Sequence, residues 1–152
     1  MESMTDPKQR KGRIITMDFS LDRFRSAHAG SYETALQEIK AGRKQSHWMW
    51  YIFPQILGLG YSTEAMYYAI QNRDEAVRYW NDPVLRSHMI EICQELLKLN
   101  DSIDWIMGYP DNLKLRSCMT LFWLVTGEYI FKDVLDRFYD GSMDEFTLQR
   151  IM

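Results

Sequence analysis

The sequence predicts an all-α protein, a compact single-domain bundle of about seven to eight short helices. Three observations carry this. Apolar residues recur at helical spacing along most of the chain, most clearly in Leu85, Met89, Ile92, Cys93, Leu96 and Leu99. Start and stop signals separate these stripes, the strongest being Asn81-Asp82-Pro83, a capping carboxylate followed by proline at the first helical position. No alternation of apolar and polar residues is long enough to argue for a sheet. A chain of 152 residues buries roughly 68–70% of the surface its unfolded form exposes. A composition of 46% hydrophobic and 14% aromatic residues is that of a folded domain.

Residues 1–17 read as a flexible basic leader, with Lys8, Arg10, Lys11 and Arg13 against Glu2 and Asp6. The leader lacks the apolar stretch of a secretion signal and carries acids that a mitochondrial presequence avoids. Residues 18–152 read as the single all-helical domain. Ser20 caps a first helix with Leu21 and Phe24 on one face, ending near Gly30. Ser31 caps a second, in which Tyr32, Ala35, Leu36 and Ile39 share a face and Gly42 is the stop. Pro54 prevents a regular helix from running through the next segment.

Ser62 opens a helix with Ala65, Tyr68 and Ala69 inward, and Asp74-Glu75 begins another carrying Ala76, Val77 and Trp80. After the long helix that starts at Pro83, a short piece spans Ile103 to Met107. Asp111 then caps a helix through Leu115, Cys118, Met119, Phe122 and Val125, which is apolar on nearly every side from Met119 onward and so belongs in the middle of the bundle. Gly127 ends it. Phe131, Val134, Leu135 and Phe138 mark one more amphipathic helix, and Phe146, Leu148 and Ile151 a small terminal one.

A formal net charge of -3 gives no general pull toward nucleic acid or an anionic membrane. The most hydrophobic run, Cys118 to Val125, is too short to cross a bilayer. Cys93 and Cys118 both fall within apolar helical patterns, which places two buried thiols in a reducing cytoplasm. His28, His47 and His88 are isolated from one another in sequence and lack a partner of ligand type at helical spacing, so no metal site is expected. No phosphate-binding glycine motif is present and no cofactor is expected.

Chemistry concentrates between Gly42 and Gly60, where a cationic pair, a serine and a histidine precede two Trp, a Tyr, a Phe and a Gln. Arg43, Lys44 and Ser46 can hold an anion through charge-assisted hydrogen bonds. Trp48 or Trp50 can stack on a base, with Gln55 supplying an amide, and His47 is the candidate general acid or base. Downstream, Lys114 and Ser117 share a helix face with Arg116 close by, and can be aimed at the first cluster to make a cationic pocket. A small anionic or nucleotide-like ligand is the expected occupant. The alternative is a non-enzymatic interaction or scaffold domain, in which the same aromatics are core, the cations are solvated and Ser117 only fits between helices.

The string Ala-Gly-Arg-Lys-Gln-Ser-His-Trp-Met-Trp-Tyr-Ile-Phe-Pro-Gln at 41–55, with Gly58-Leu59-Gly60-Tyr61-Ser62, resembles the signature of the bacterial family catalogued as domain of unknown function 1810. Gly108-Tyr109-Pro110-Asp111-Asn112-Leu113-Lys114-Leu115-Arg116-Ser117-Cys118-Met119-Thr120-Leu121-Phe122 resembles its other characteristic block, and the similarity extends from Asp18 to Ile151. The resemblance implies a compact all-helical fold and an unassigned activity. Some members are labelled calpastatin-like; calpastatin inhibitory segments are disordered, whereas this chain is patterned to fold.

Overall fold

The computed structural model describes residues 20–152; the basic segment 1–17 lies outside them. Nine helices follow one another among the described residues, α1 (Asp22–Lys40), α2 (Met49–Ile52), α3 (Thr63–Tyr67), α4 (Arg73–Asn81), α5 (Pro83–Leu97), α6 (Ile103–Met107), α7 (Asp111–Thr126), α8 (Tyr129–Tyr139) and α9 (Glu145–Ile151). The only β feature among these residues is an isolated parallel bridge between Ile56 and Ile70. No helix here is long and apolar enough to cross a membrane.

Local chemistry explains most of the boundaries. Asp82 accepts hydrogen bonds from the Val84 and Leu85 amides with Pro83 in the first turn, and Ser62, Asn72, Ser102 and Asp144 cap α3, α4, α6 and α9 in the same way. Gly127 closes α7 in the left-handed conformation. Asp111 does not cap α7 with its side chain; it stands at the first helical position and forms ion pairs instead.

As its apolar pattern predicts, α7 is central, packing against α4, α6, α8 and α9, while α5 bridges α1, α4 and α8. An aromatic chain runs through the core. Phe24 meets Tyr79 at 5.0 Å between centroids, Tyr79 meets Phe122 at 5.3 Å, and Phe122 meets Phe131 at 5.7 Å, joining α1, α4, α7 and α8. Cys93 and Cys118 are free and buried beside it, and burial pushes both thiols up. Val77, expected inward, is exposed.

The two helices expected on either side of Gly30 are one. Phe24, His28, Tyr32, Ala35, Leu36 and Ile39 form an unbroken buried face across the supposed break, and that burial outweighs the roughly 1 kcal/mol that a glycine costs within a helix. Gly30 itself faces outward with nothing near the position of a Cβ. Replacing Gly30 with Ala should therefore raise stability by about 0.5–1 kcal/mol, read as a shift of the urea midpoint at unchanged m-value.

Two polar clusters lock α1 to the rest. The guanidinium of Arg23 donates to both carboxylate oxygens of Glu75 at 2.8 Å, with further bonds to the carbonyls of Ser20, Tyr67 and Ala69. Glu75 also accepts the Gln71 amide. Both side chains are buried, so the pair is a dry, fully bonded fork. The second cluster corrects the expectation that the histidines are isolated. His28 Nδ1 lies 2.9 Å from His88 Nδ1, and His28 Nε2 lies 2.8 Å from the Tyr51 carbonyl. A carbonyl can only accept, so Nε2 carries the His28 proton and its Nδ1 accepts from His88. Burial holds His28 down at about 4 and also lowers His88.

Candidate functional site

The residues singled out in sequence fall into two groups. The first is Arg43, Lys44, Ser46, His47 and Trp48, in the loop between α1 and α2. This loop is wrapped around Glu38 of α1. Glu38 Oε1 accepts the Gln45 amide at 2.7 Å, the Ser46 amide at 2.9 Å and the Trp48 indole N–H at 2.9 Å, and Oε2 accepts the Ser46 hydroxyl at 2.5 Å. Burial alone would raise this carboxyl; the four donors, led by the Ser46 hydroxyl, outweigh it and hold Glu38 at about 2.

Trp48 is 1% exposed and part of the core, which withdraws its ring from any ligand. Arg43 lies over the Trp105 ring at 4.0 Å. Lys44 reaches Asp111 at 2.8 Å, and its amide donates to the Ile106 carbonyl. His47 is exposed, and its carbonyl accepts from Tyr51. None of Arg43, Lys44, Ser46, His47 and Trp48 lines the cleft that Lys114 lines; Trp48 is buried, and Lys44 and Ser46 are bonded within the chain.

The second group converges. Trp50, Gln55, Lys114 and Ser117 line one cleft of about 400 Å³, floored by the first turns of α7 and walled by residues 55–62. The wall is shaped by close approach. Gly58 has φ +113°, and a Cβ there would meet the Phe146 ring at 2.7 Å, so the loop presses directly on α9. Ser117 is buried and donates to the Leu113 carbonyl at 3.2 Å, which spends its proton within the helix. Lys114 stands 3.3 Å from Asp111 and 5.9 Å from the Trp50 ring centroid. Because Asp111 also binds Lys44, it is the link between the two groups.

Two further charged residues line the cleft, Arg116, offered in sequence as a neighbour of Lys114 and Ser117, and Asp144, which no expectation named. Arg116 lines the cleft with its buried Nε unpartnered and, among the described residues, no carboxylate within ion-pair distance. Asn112 Oδ1, four residues earlier on α7 and outside the cleft lining, is likewise buried and without a partner among the described residues. The sequence offers Arg116 both as a member of a cationic pocket with Lys114 and Ser117 and, in the alternative, as a solvated helix cation. Asp144 arrives from the start of α9; its Oδ2 accepts the Thr147 amide and hydroxyl, and its own amide donates to Thr120 of α7. No local motif marked it. The side-chain amide of Gln55 also makes no hydrogen bond among the described residues.

A family model described as "Protein of unknown function (DUF1810)" matches residues 18–151, covering the bundle and both groups of candidate residues. The chain belongs to the DUF1810 family. The crystal structure of the conserved hypothetical protein Rv1873 from Mycobacterium tuberculosis is similar across 88% of this chain and 96% of that one, with 38% identity and a TM-score of 0.85. No curated protein matches. A DUF1810 chain is thus an all-helical bundle whose activity is unassigned, and the chemistry of its cleft has to be read from the side chains.

Proposed function

We propose that the protein binds a small anionic, nucleotide-like ligand in the cleft between α7 and residues 55–62. The observation that carries this is Arg116, a guanidinium without a carboxylate partner among the described residues, in the same cleft as Lys114 and the half-buried Trp50 ring. A partly buried guanidinium that no carboxylate of the described residues pairs is matched by a phosphate or carboxylate, to which arginine binds in a two-pronged fashion. Stacking of a planar group on Trp50 contributes on the order of 1–3 kcal/mol in comparable aromatic sites. The grip therefore passes from the residues around His47 to Arg116 and Lys114. No catalytic step is assigned to His47, which does not line the cleft.

The interaction-domain reading has its own support in Tyr61 and Tyr109, 83% and 81% exposed at or beside the cleft rim. Thermal shift against nucleotides, dinucleotides, sugar phosphates and dicarboxylates separates the two. A ligand at ~100 times its dissociation constant adds ~2.7 kcal/mol, a rise of about 5–10 °C for a domain of this size. Arg116→Gln and Lys114→Gln are expected to keep the fold and lose that rise. Silence from every class, or a rise untouched by both substitutions, removes the ligand reading and leaves the exposed tyrosines as the place to seek a protein partner.

A further inference from the structure

We infer that the ligand is a nucleoside phosphate whose base carries an exocyclic amino group, with its phosphate at the Lys114–Arg116 end of the cleft and the amino group donating to Asp144. This rests on the reading that the cleft binds an anion, and follows from how charge is arranged along α7. Lys114 and Arg116 occupy the first two turns. Asp144 is pinned further along, because its amide donates to the hydroxyl of Thr120 at 2.9 Å. Six residues separate the helical positions of Lys114 and Thr120, about 9 Å along the axis at 1.5 Å per residue. Lysine side chains lean toward the helix start, and Lys114 does so to reach Asp111, which widens the gap.

The opposite charges of the cleft do not neutralise one another. Neither Lys114 nor Arg116 lies within ion-pair distance of Asp144, whose Oδ1 has no hydrogen-bond donor among the described residues. A ligand anionic along its whole length would meet the Asp144 carboxylate at its far end and be repelled. A ligand with an anionic end and a donating end satisfies both poles. Trp50 stands near the Lys114 pole, where it can lie under the ring system joining the two ends, and the Gln55 amide, without a hydrogen bond among the described residues, can both donate and accept along a base edge. A base with an exocyclic amine offers Asp144 a donor; one with an oxo group in its place offers a second acceptor.

Isothermal titration with adenosine and inosine monophosphate, cytidine and uridine monophosphate, and inorganic phosphate provides the test. The unmodified protein should bind the amino-bearing member of each pair about 10- to 100-fold more tightly, the range for a hydrogen bond to a charged group. Asp144→Asn should abolish that preference while preserving the α9 cap, since asparagine caps as well as aspartate. Asp144→Ser, another good cap, is the second variant. Lys114→Gln should weaken all four nucleotides alike. Equal binding of amino and oxo members, or a preference that survives both Asp144 substitutions, overturns the inference while leaving an anion site. Failure of every nucleotide and of phosphate to bind the unmodified protein overturns the anion reading together with it.

Discussion

Glu75→Ala is expected to cost roughly 3–5 kcal/mol, because it removes the buried carboxylate onto which the Arg23 guanidinium forks. Arg23 and Glu75 are both buried, the fork between them has two bonds of 2.8 Å, and Glu75 also receives the Gln71 amide ahead of α4. For a domain of this size the loss corresponds to a fall in Tm of about 10 °C or more. Against a typical total stability of about 5–15 kcal/mol it approaches unfolding. Pairing Arg23→Met with Glu75→Leu should restore much of the loss, since an apolar pair carries no desolvation penalty. Calorimetry on the single and double variants decides the matter. A loss below about 1 kcal/mol in the single variant is the value for an exposed pair and would mean that water reaches the fork in solution.

Acid should destabilise the protein through two groups whose windows meet near pH 4. His28 takes up a proton near 6.5 when unfolded but only at about 4 within the fold. Between those values the unfolded chain binds more protons, so stability falls as pH drops from 6.5 toward 4. The total is on the order of 3 kcal/mol for a shift of this size. His88 is lowered as well and contributes with the same sign. The groups facing the pair are the Tyr51 carbonyl and Tyr79 from α2 and α4, Tyr32 and Glu33 from α1, Asp82 and Glu91 from α5 and its cap. Of these, the Tyr51 carbonyl and the Asp82 carboxylate favour the charged form of His28, and burial outweighs them. The second window belongs to Glu38, whose contribution is complete above 4.5 and disappears toward about 2. Urea midpoints measured from pH 7.5 to 4 should decline for the unmodified protein and flatten in His28→Gln. An unchanged slope in that variant would assign the acid sensitivity elsewhere.

Which parts of this molecule a reader of the sequence can find depends on how far apart the interacting residues lie. The Asp82-Pro83 start, the Ser62 cap and the stripe from Leu85 to Leu96 are local, and each stands where it reads. Gly30 misleads for the same reason: a local stop signal is overruled by burial on both sides of it. The Arg23–Glu75 fork spans 52 positions and the His28–His88 pair spans 60, and no spacing rule encodes either. Half of the cleft is legible, since Trp50, Gln55, Lys114 and Ser117 lie in the two blocks of mixed polar and aromatic character. Arg116 reads equally as a pocket cation and as a solvated one until packing shows that no carboxylate among the described residues pairs with it. Asp144 joins only because α9 folds back along α7.

Glu38 explains why the segment from Arg43 to Trp48 looks so much like an anion receptor. Two backbone amides, a hydroxyl and an indole N–H do converge on a carboxylate, and that carboxylate belongs to the chain. The receptor is a real one whose guest is permanently tethered. Because Glu38 is joined to the loop through a few residues, its carboxylate is always present at high effective concentration, and a free phosphate or carboxylate would have to compete with it. What reads as a vacant binding loop is a closed clasp, and the work it does is to fix where α2, and with it Trp50, stands at the edge of the neighbouring cleft.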